Sequence, residues 1–253
     1  MNLKSYSVII TYCCERRKEL LSLISSILNQ TLPAAEIFII SDGPAKELKN
    51  FKYNKVKIIE NKISGKPATH RNLGLKLVNN NFVFISDDDD IWHPKKAEIQ
   101  INQIIENKAS ICFTKKKNFL FEKEIEFPQI NFRNIISKSI SSKNLLLSNK
   151  LPLSSVLLNT HLIDINFDEN EFFKAWEDYE LWLRKSKSHK IIQINKKLLY
   201  YRQNPKSIRK GITLRNLKNQ KKYLLQNHSK SFSDKILISF IFAARIILAW
   251  LRP

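Results

Sequence analysis

Residues 82 to 96 read FVFISDDDDIWHPKK, so an apolar run ends in four consecutive carboxylates, Asp87, Asp88, Asp89 and Asp90. Adjacent carboxylates raise one another's pKa and repel unless a cation neutralises them. The chemistry this pattern suits is a divalent-cation site for Mn2+ or Mg2+, hard ions that take few protein carboxylates and draw their remaining ligands from phosphates and water. The structural rival is a solvated turn before a helix with Pro94 at its first position, but four acids exceed what a cap needs. A second acidic cluster lies in KAWEDYELWLRKS, residues 174–186. There Asp178 can cap a helix or act as a general base, with Glu177 beside it. Trp176, Tyr179 and Trp182 are expected to supply aromatic surface that stacks on sugar faces, a setting in which a carboxylate keeps a pKa suited to base work. Asp42, in SDGP, reads from chemistry alone as a turn residue, and Arg71 as either a surface arginine or a diphosphate contact. The five histidines show no zincin spacing and the chain has no GxGxxG or GxxxxGK, so neither a Rossmann dehydrogenase nor a P-loop enzyme is supported.

These residues need elements to hold them. YSVIITY (6–12), AEIFIISDGP (35–44), KVKIIEN (55–61) and FVFIS (82–86) read as strands. ELLSLISSILNQ (19–30) has Leu20, Leu23, Ile24, Ile27 and Leu28 at helical spacing, and 66–80 is helical after Pro67. The alternation predicts an α/β protein with an open, mostly parallel sheet flanked by helices. Ligands of such sheets bind outside the carboxyl ends of the strands, where Asp42 and Asp87–Asp90 fall.

The chain of 253 residues is 43% hydrophobic and 26% charged, with net charge +20, an ordinary folded composition. Three cysteines, Cys13, Cys14 and Cys112, make no disulfide framework or zinc spacing, which suits a reducing cytosol. The N-terminal segment lacks the apolar core of a signal peptide. From Leu181 to Pro253 there are 18 Lys and Arg against one acid, Asp234. Such asymmetry points to a polyanionic partner, nucleic acid or an anionic membrane surface. Ile236 to Leu251 is almost wholly apolar, interrupted by Arg245, and shorter than a spanning helix requires. It is expected to lie in the membrane interface with Trp250 and Arg252 at headgroup level, behind Lys206, Arg209, Lys210, Arg215, Lys218, Lys221 and Lys222; the rival is a helix docked on the core.

Six segments in order, SVIITY, SILNQTLPAAEIFIISDGP, GKPATHRNLGL, FISDDDDIWHPKK, LPLSSVLLN with NFDEN, and WEDYELWLR, span about residues 5 to 202 and resemble the family 2 glycosyltransferases of GT-A fold. The resemblance implies an inverting transfer from a nucleotide-sugar donor, a UDP-sugar by family preference, to a glycan or glycolipid acceptor such as a lipopolysaccharide core. It implies a GT-A domain over residues 1–203 (1–107 for the donor, 108–203 for acceptor and base); the charge and apolar pattern of 204–253 add a basic, amphipathic helical region expected to hold the protein on the inner face of a bacterial cytoplasmic membrane. Thr11, Tyr12, Asp42, Arg71, Asp87 and Asp88 would face the sugar nucleotide. Asp87 and Asp89 would hold the metal, with Asp90 supporting them, and Asp178 would be the base. Two departures stand out: Cys13 where Asn is usual, beside what reads as a small insertion, and Asn204 where a His often follows the Tyr-Arg pair. No nucleic-acid module is present. The rivals are a metal-dependent phosphoryl-transfer enzyme on nucleic acid, a same-fold transferase acting on capsular polysaccharide or protein glycan, and a non-catalytic binding module.

Overall fold

The computed structural model describes residues 4–13, 15–49, 51, 53–120, 125–147, 149–203, 214–229 and 231–250. In chain order they form β1 (Tyr6–Tyr12), α1 (Arg17–Leu28), β2 (Glu36–Asp42), β3 (Val56–Asn61), α2 (Pro67–Leu77), β4 (Phe82–Asp87), β5 (Ile91–Trp92), α3 (Lys96–Glu106) and β6 (Ile111–Phe119). There follow β7 (Ser137–Ser139), α4 (Ser142–Leu147), β8 (Val156–Asn159), α5 (Glu177–Lys185), β9 (Ile191–Arg202), α6 (Leu214–Asn227) and α7 (Phe232–Trp250). The nine strands share one sheet in the order β3-β2-β1-β4-β8-β6-β9-β5, with β7 also on β9. The half from β3 to β4 is parallel. β8 enters antiparallel between β4 and β6, and β6–β9 is parallel again, so the sheet is mixed as well as helix-flanked.

The β-branched runs of β1 and β2 are buried on both faces, which is why they read as continuous apolar strings. Alternation sends Val8, Ile10, Ile37 and Ile39 to the face covered by α1 and α3, and Ile9, Ile40, Val83 and Ile85 to the face covered by α2 and α5. α1 lays Leu20, Leu23, Ile24 and Ile27 on the first face. α2 starts at Pro67, whose fixed φ suits a first helical turn. It approaches β1 so closely that a Cβ on Gly74 would stand 2.4 Å from Ile9 Cγ2; only glycine lets the Arg71-bearing helix sit this low.

The parallel strands β1, β2 and β4 all end at one rim, with Thr11, Asp42 and Asp87 at or next to their last positions. The chain then turns through Asp88 to Asp90 into β5, which leaves the parallel set to pair antiparallel with β9. The four aspartates are the corner between the two parts of the sheet. At the other end of the chain, Ile238 and Phe242 of α7 enter the same core as Leu217 and Leu224 of α6, so this helix is docked along one face. Phe232, Ile236 and Phe240, one turn apart, remain 78%, 55% and 73% exposed.

Candidate active site

The four aspartates point in different directions, because successive residues at a strand end alternate faces. Asp87 continues the face of Val83 and Ile85, beside its register partner Thr11 on β1. Its Oδ1 accepts from Thr11 Oγ1 at 3.3 Å and from Arg71 Nη2 at 3.1 Å, and its side chain is 39% exposed. Its backbone N–H donates to the Ser154 hydroxyl at 3.0 Å. Asp88 turns the other way and is fully buried. Its Oδ2 accepts from the Cys13 N–H at 2.8 Å, and its Oδ1 lies 3.0 Å from Arg16 Nη2. Asp89 pairs with the same guanidinium, Oδ2 to Arg16 Nη1 at 2.9 Å. Asp90 is buried and accepts from the Arg202 N–H at 3.1 Å, while Arg202 Nε donates to the Asp89 carbonyl at 2.8 Å.

Burial pushes the Asp88 carboxyl up to about 8 against the opposing pull of Arg16. Burial, then the charge of Asp87, raises Asp89, and burial, then the charge of Asp89, raises Asp90. The two carboxylates of the four whose side chains reach solvent, Asp87 at 39% and Asp89 at 14%, are the ones an added cation could meet. Among the described residues no group of three or more His, Cys, Asp or Glu is placed to cage an ion. Asp87 and Asp89 suit an ion that takes only one or two protein carboxylates and completes its shell from phosphate and water.

Arg71 joins the two acidic clusters. It is 5% exposed and sits between Asp87 and Glu177, its Nη1 donating to Glu177 Oε1. These two carboxylates are the counter-charges that a buried guanidinium needs at hand. Glu177 and Asp178 occupy the first turn of α5, after a left-handed backbone at Ala175 (φ 69°) that turns the chain into the helix. A non-glycine residue held there costs about 1 kcal/mol or more. Asp178 is 7% exposed. Its Oδ2 accepts from Asn149 Nδ2 at 3.2 Å and its Oδ1 from the Tyr179 N–H at 2.7 Å.

Several expectations need correction. Trp176, Tyr179 and Trp182 offer no sugar platform: all three are at most 3% exposed and lie in the core. Trp182 is edge-on to Phe167, and Trp176 packs among Phe172, Phe173 and Tyr223. Their helical spacing is that of a buried face. The Tyr12 ring is buried as well. It falls on the α1 face, is 1% exposed and donates its hydroxyl to Glu47 at 2.6 Å. Asp88, expected to face the donor, lies behind the corner on Arg16. Asp42 keeps its place at the rim, and its oxygens accept from the N–H groups of Ser64 (2.7 Å) and Gly65 (3.0 Å), which shape the loop before α2. Asn204 lies outside the described residues.

Three residues escaped the sequence reading. Arg16 sits in CCERR, the segment read as an insertion, and no periodicity marks it. Asn149, which holds the Asp178 carboxylate, stands alone in a loop. Glu169, within the noted NFDEN, accepts from Asn72 Nδ2 at 2.8 Å and Thr69 Oγ1 at 3.1 Å, fastening that segment to α2.

A family model described as glycosyl transferase family 2 matches residues 7–154. One curated relative, from Escherichia coli and named UDP-Glc:alpha-D-GlcNAc-diphosphoundecaprenol beta-1,3-glucosyltransferase WfgD, is 28% identical over 68% of this chain and 66% of its own length. An uncharacterised glycosyltransferase of Rickettsia conorii is 28% identical over 69% of this chain but 29% of its own. The chain thus spans from about a quarter to two thirds of the curated relatives it matches. Among solved structures, residues 1–349 of S. aureus TarS in complex with UDP-GlcNAc align with a TM-score of 0.70 at 18% identity, over 96% of this chain and 71% of that one. That likeness establishes the shared GT-A fold.

Proposed function

The chain belongs to glycosyl transferase family 2, and from that premise we propose that it transfers a sugar, with inversion, from a uridine diphosphate donor to a hydroxyl of a lipid-linked saccharide. One observation carries the reading: Arg71 ties the exposed carboxylate of Asp87 to the helix turn that bears Asp178. A donor-side acid and a candidate base are thereby held around one rim. The named activity of the E. coli relative and the UDP-GlcNAc bound to TarS support the donor and acceptor class. The phosphoryl-transfer and binding-module readings have no comparable support.

In this mechanism Asp178 removes the proton of the acceptor hydroxyl as that oxygen attacks the anomeric carbon opposite the leaving diphosphate. Asn149 fixes the direction of the receiving oxygen. Thr11 and Arg71 hold Asp87, and Asp42, at the end of β2 on the same rim, would accept from the uracil edge. Asp87 and Asp89 would hold Mn2+ or Mg2+, which when bound supplies Lewis-acid stabilisation of the departing diphosphate. A panel of sugar nucleotides assayed for nucleotide release tests the activity. Release from a UDP-sugar in the presence of a lipid-linked saccharide is expected, and no release from any donor would sink it.

The partner surface we assign is an anionic membrane leaflet. No helix of the described residues is long and apolar enough to cross a membrane. The outward stripe of Phe232, Ile236 and Phe240 instead suits burial in the interface, beside Lys218, Lys222 and Lys235, all exposed. Each basic residue near an anionic leaflet adds on the order of 1 kcal/mol. Lys206, Arg209, Lys210 and Arg252 lie outside the described residues, as do the side chains of Arg215, Arg245 and Trp250. The protein is expected to float with anionic liposomes, less so at high salt. Because Ile238 and Phe242 belong to the core, the informative variant is Ile236→Asp with Phe240→Asp rather than a truncation. It should float at least several-fold less without a change in melting temperature; undiminished flotation would remove this face as the contact.

A further inference from the structure

Arg16 does something that none of the roles above covers. Its guanidinium spans two neighbouring carboxylates, Nη2 on buried Asp88 at 3.0 Å and Nη1 on Asp89 at 2.9 Å. The loop that delivers it is shaped for this. Glu15 takes a left-handed backbone (φ 84°), and the Cys13 N–H anchors the loop's start on the other oxygen of Asp88. The two ends of the guanidinium differ in what they face. Asp88 is fully buried and its side chain meets no solvent, whereas the Asp89 side chain is 14% exposed and Arg16 itself 32%. The Asp88 end is thus an anchor: pulling Arg16 away would strand a buried carboxylate. The Asp89 end is the one that can be given up.

We propose that Arg16 is the resident cation of the aspartate corner, and that a divalent ion reaches Asp89 only in competition with it. This deepens the proposed function and rests on it, since it concerns regulation of the same metal site. While Arg16 holds Asp89, a bare ion meets one engaged carboxylate and a fixed positive charge a few ångströms away. A nucleoside diphosphate changes the balance by bringing its own negative charge and oxygen ligands. Metal and nucleotide would therefore load together, with Arg16 still anchored on Asp88.

The test reads metal binding, not turnover: titration of the purified protein with Mn2+, following the free-ion signal by electron paramagnetic resonance, without and with UDP. Arg16→Gln should tighten Mn2+ binding in the absence of UDP by roughly tenfold, the effect of lifting one nearby like charge in a partly screened site. The gain from adding UDP should shrink by a similar factor. Arg17→Gln makes the same charge change on a residue that donates to the Glu47 carbonyl instead, and should leave Mn2+ affinity near that of the wild type. If Arg16→Gln does not fold, Asp88→Asn is compared with the double variant Asp88→Asn/Arg16→Gln, in which no buried carboxylate is stranded; the double variant should bind Mn2+ more tightly. Equal Mn2+ affinity with and without the Arg16 guanidinium would overturn the proposal while leaving the transferase reading standing. Absence of Mn2+ binding by every protein even with UDP would remove the metal site itself, and the competition with it.

Discussion

Asp178→Asn is expected to lower turnover by roughly two to four orders of magnitude, the range for loss of a general base, while UDP-sugar binding stays near the wild-type level. The substitution keeps the shape of the side chain and an oxygen for the Tyr179 N–H that Asp178 Oδ1 now accepts from, so the first turn of α5 should survive. What disappears is the proton acceptor. Steady-state kinetics with a saturating acceptor, together with a melting curve, separate the alternatives. A variant that turns over normally but melts several degrees lower would make Asp178 a helix cap and nothing more.

The second large effect is on stability. Arg71→Met keeps much of the side-chain volume but removes the charge between Asp87 and Glu177, leaving a buried Glu177 facing another carboxylate. Breaking a buried pair from one side costs about 3–5 kcal/mol, and a chain of this size loses about 2–4 °C per kcal/mol. The melting temperature should fall by roughly 6 °C or more. Arg71→Met/Glu177→Gln should recover part of that loss, because it neutralises the stranded acid. A drop under 2 °C, or no recovery in the double variant, would mean that Arg71 does not join the two clusters energetically.

What the sequence disclosed follows from the range of the forces involved. β1, β2, β3 and β4 stand within a residue or two of their expected bounds, because runs such as SVII and EIFII have one compact solution, a strand buried on both faces. The acidic residues at their ends were legible for the same reason: parallel strands share a rim. Which way each side chain points was harder to read. Tyr12 and Thr11 are neighbours in sequence, yet strand alternation puts one in the core and the other on Asp87. Trp176, just before α5, and Trp182, on it, have exposed-looking charged neighbours, and only the packing of α6 and Phe167 shows that these rings point inward. Arg16 could not be found at all from local pattern, because its partners lie more than 70 residues away and its loop has no period. The C-terminal helix packs one stripe into the core, as the docked reading expects, and leaves a second stripe open.

The rim formed by Thr11, Asp42, Asp87 and Asp89 is proposed to bind a uridine diphosphate group together with a divalent ion. Calorimetric titration with UDP, in chelator-treated buffer and again with Mn2+, tests it directly. Saturable binding of one UDP per chain is expected, tightening when Mn2+ is added, with the Mn2+-dependent part lost in Asp89→Ala. No UDP binding in either buffer, by a protein that melts cooperatively, would contradict it.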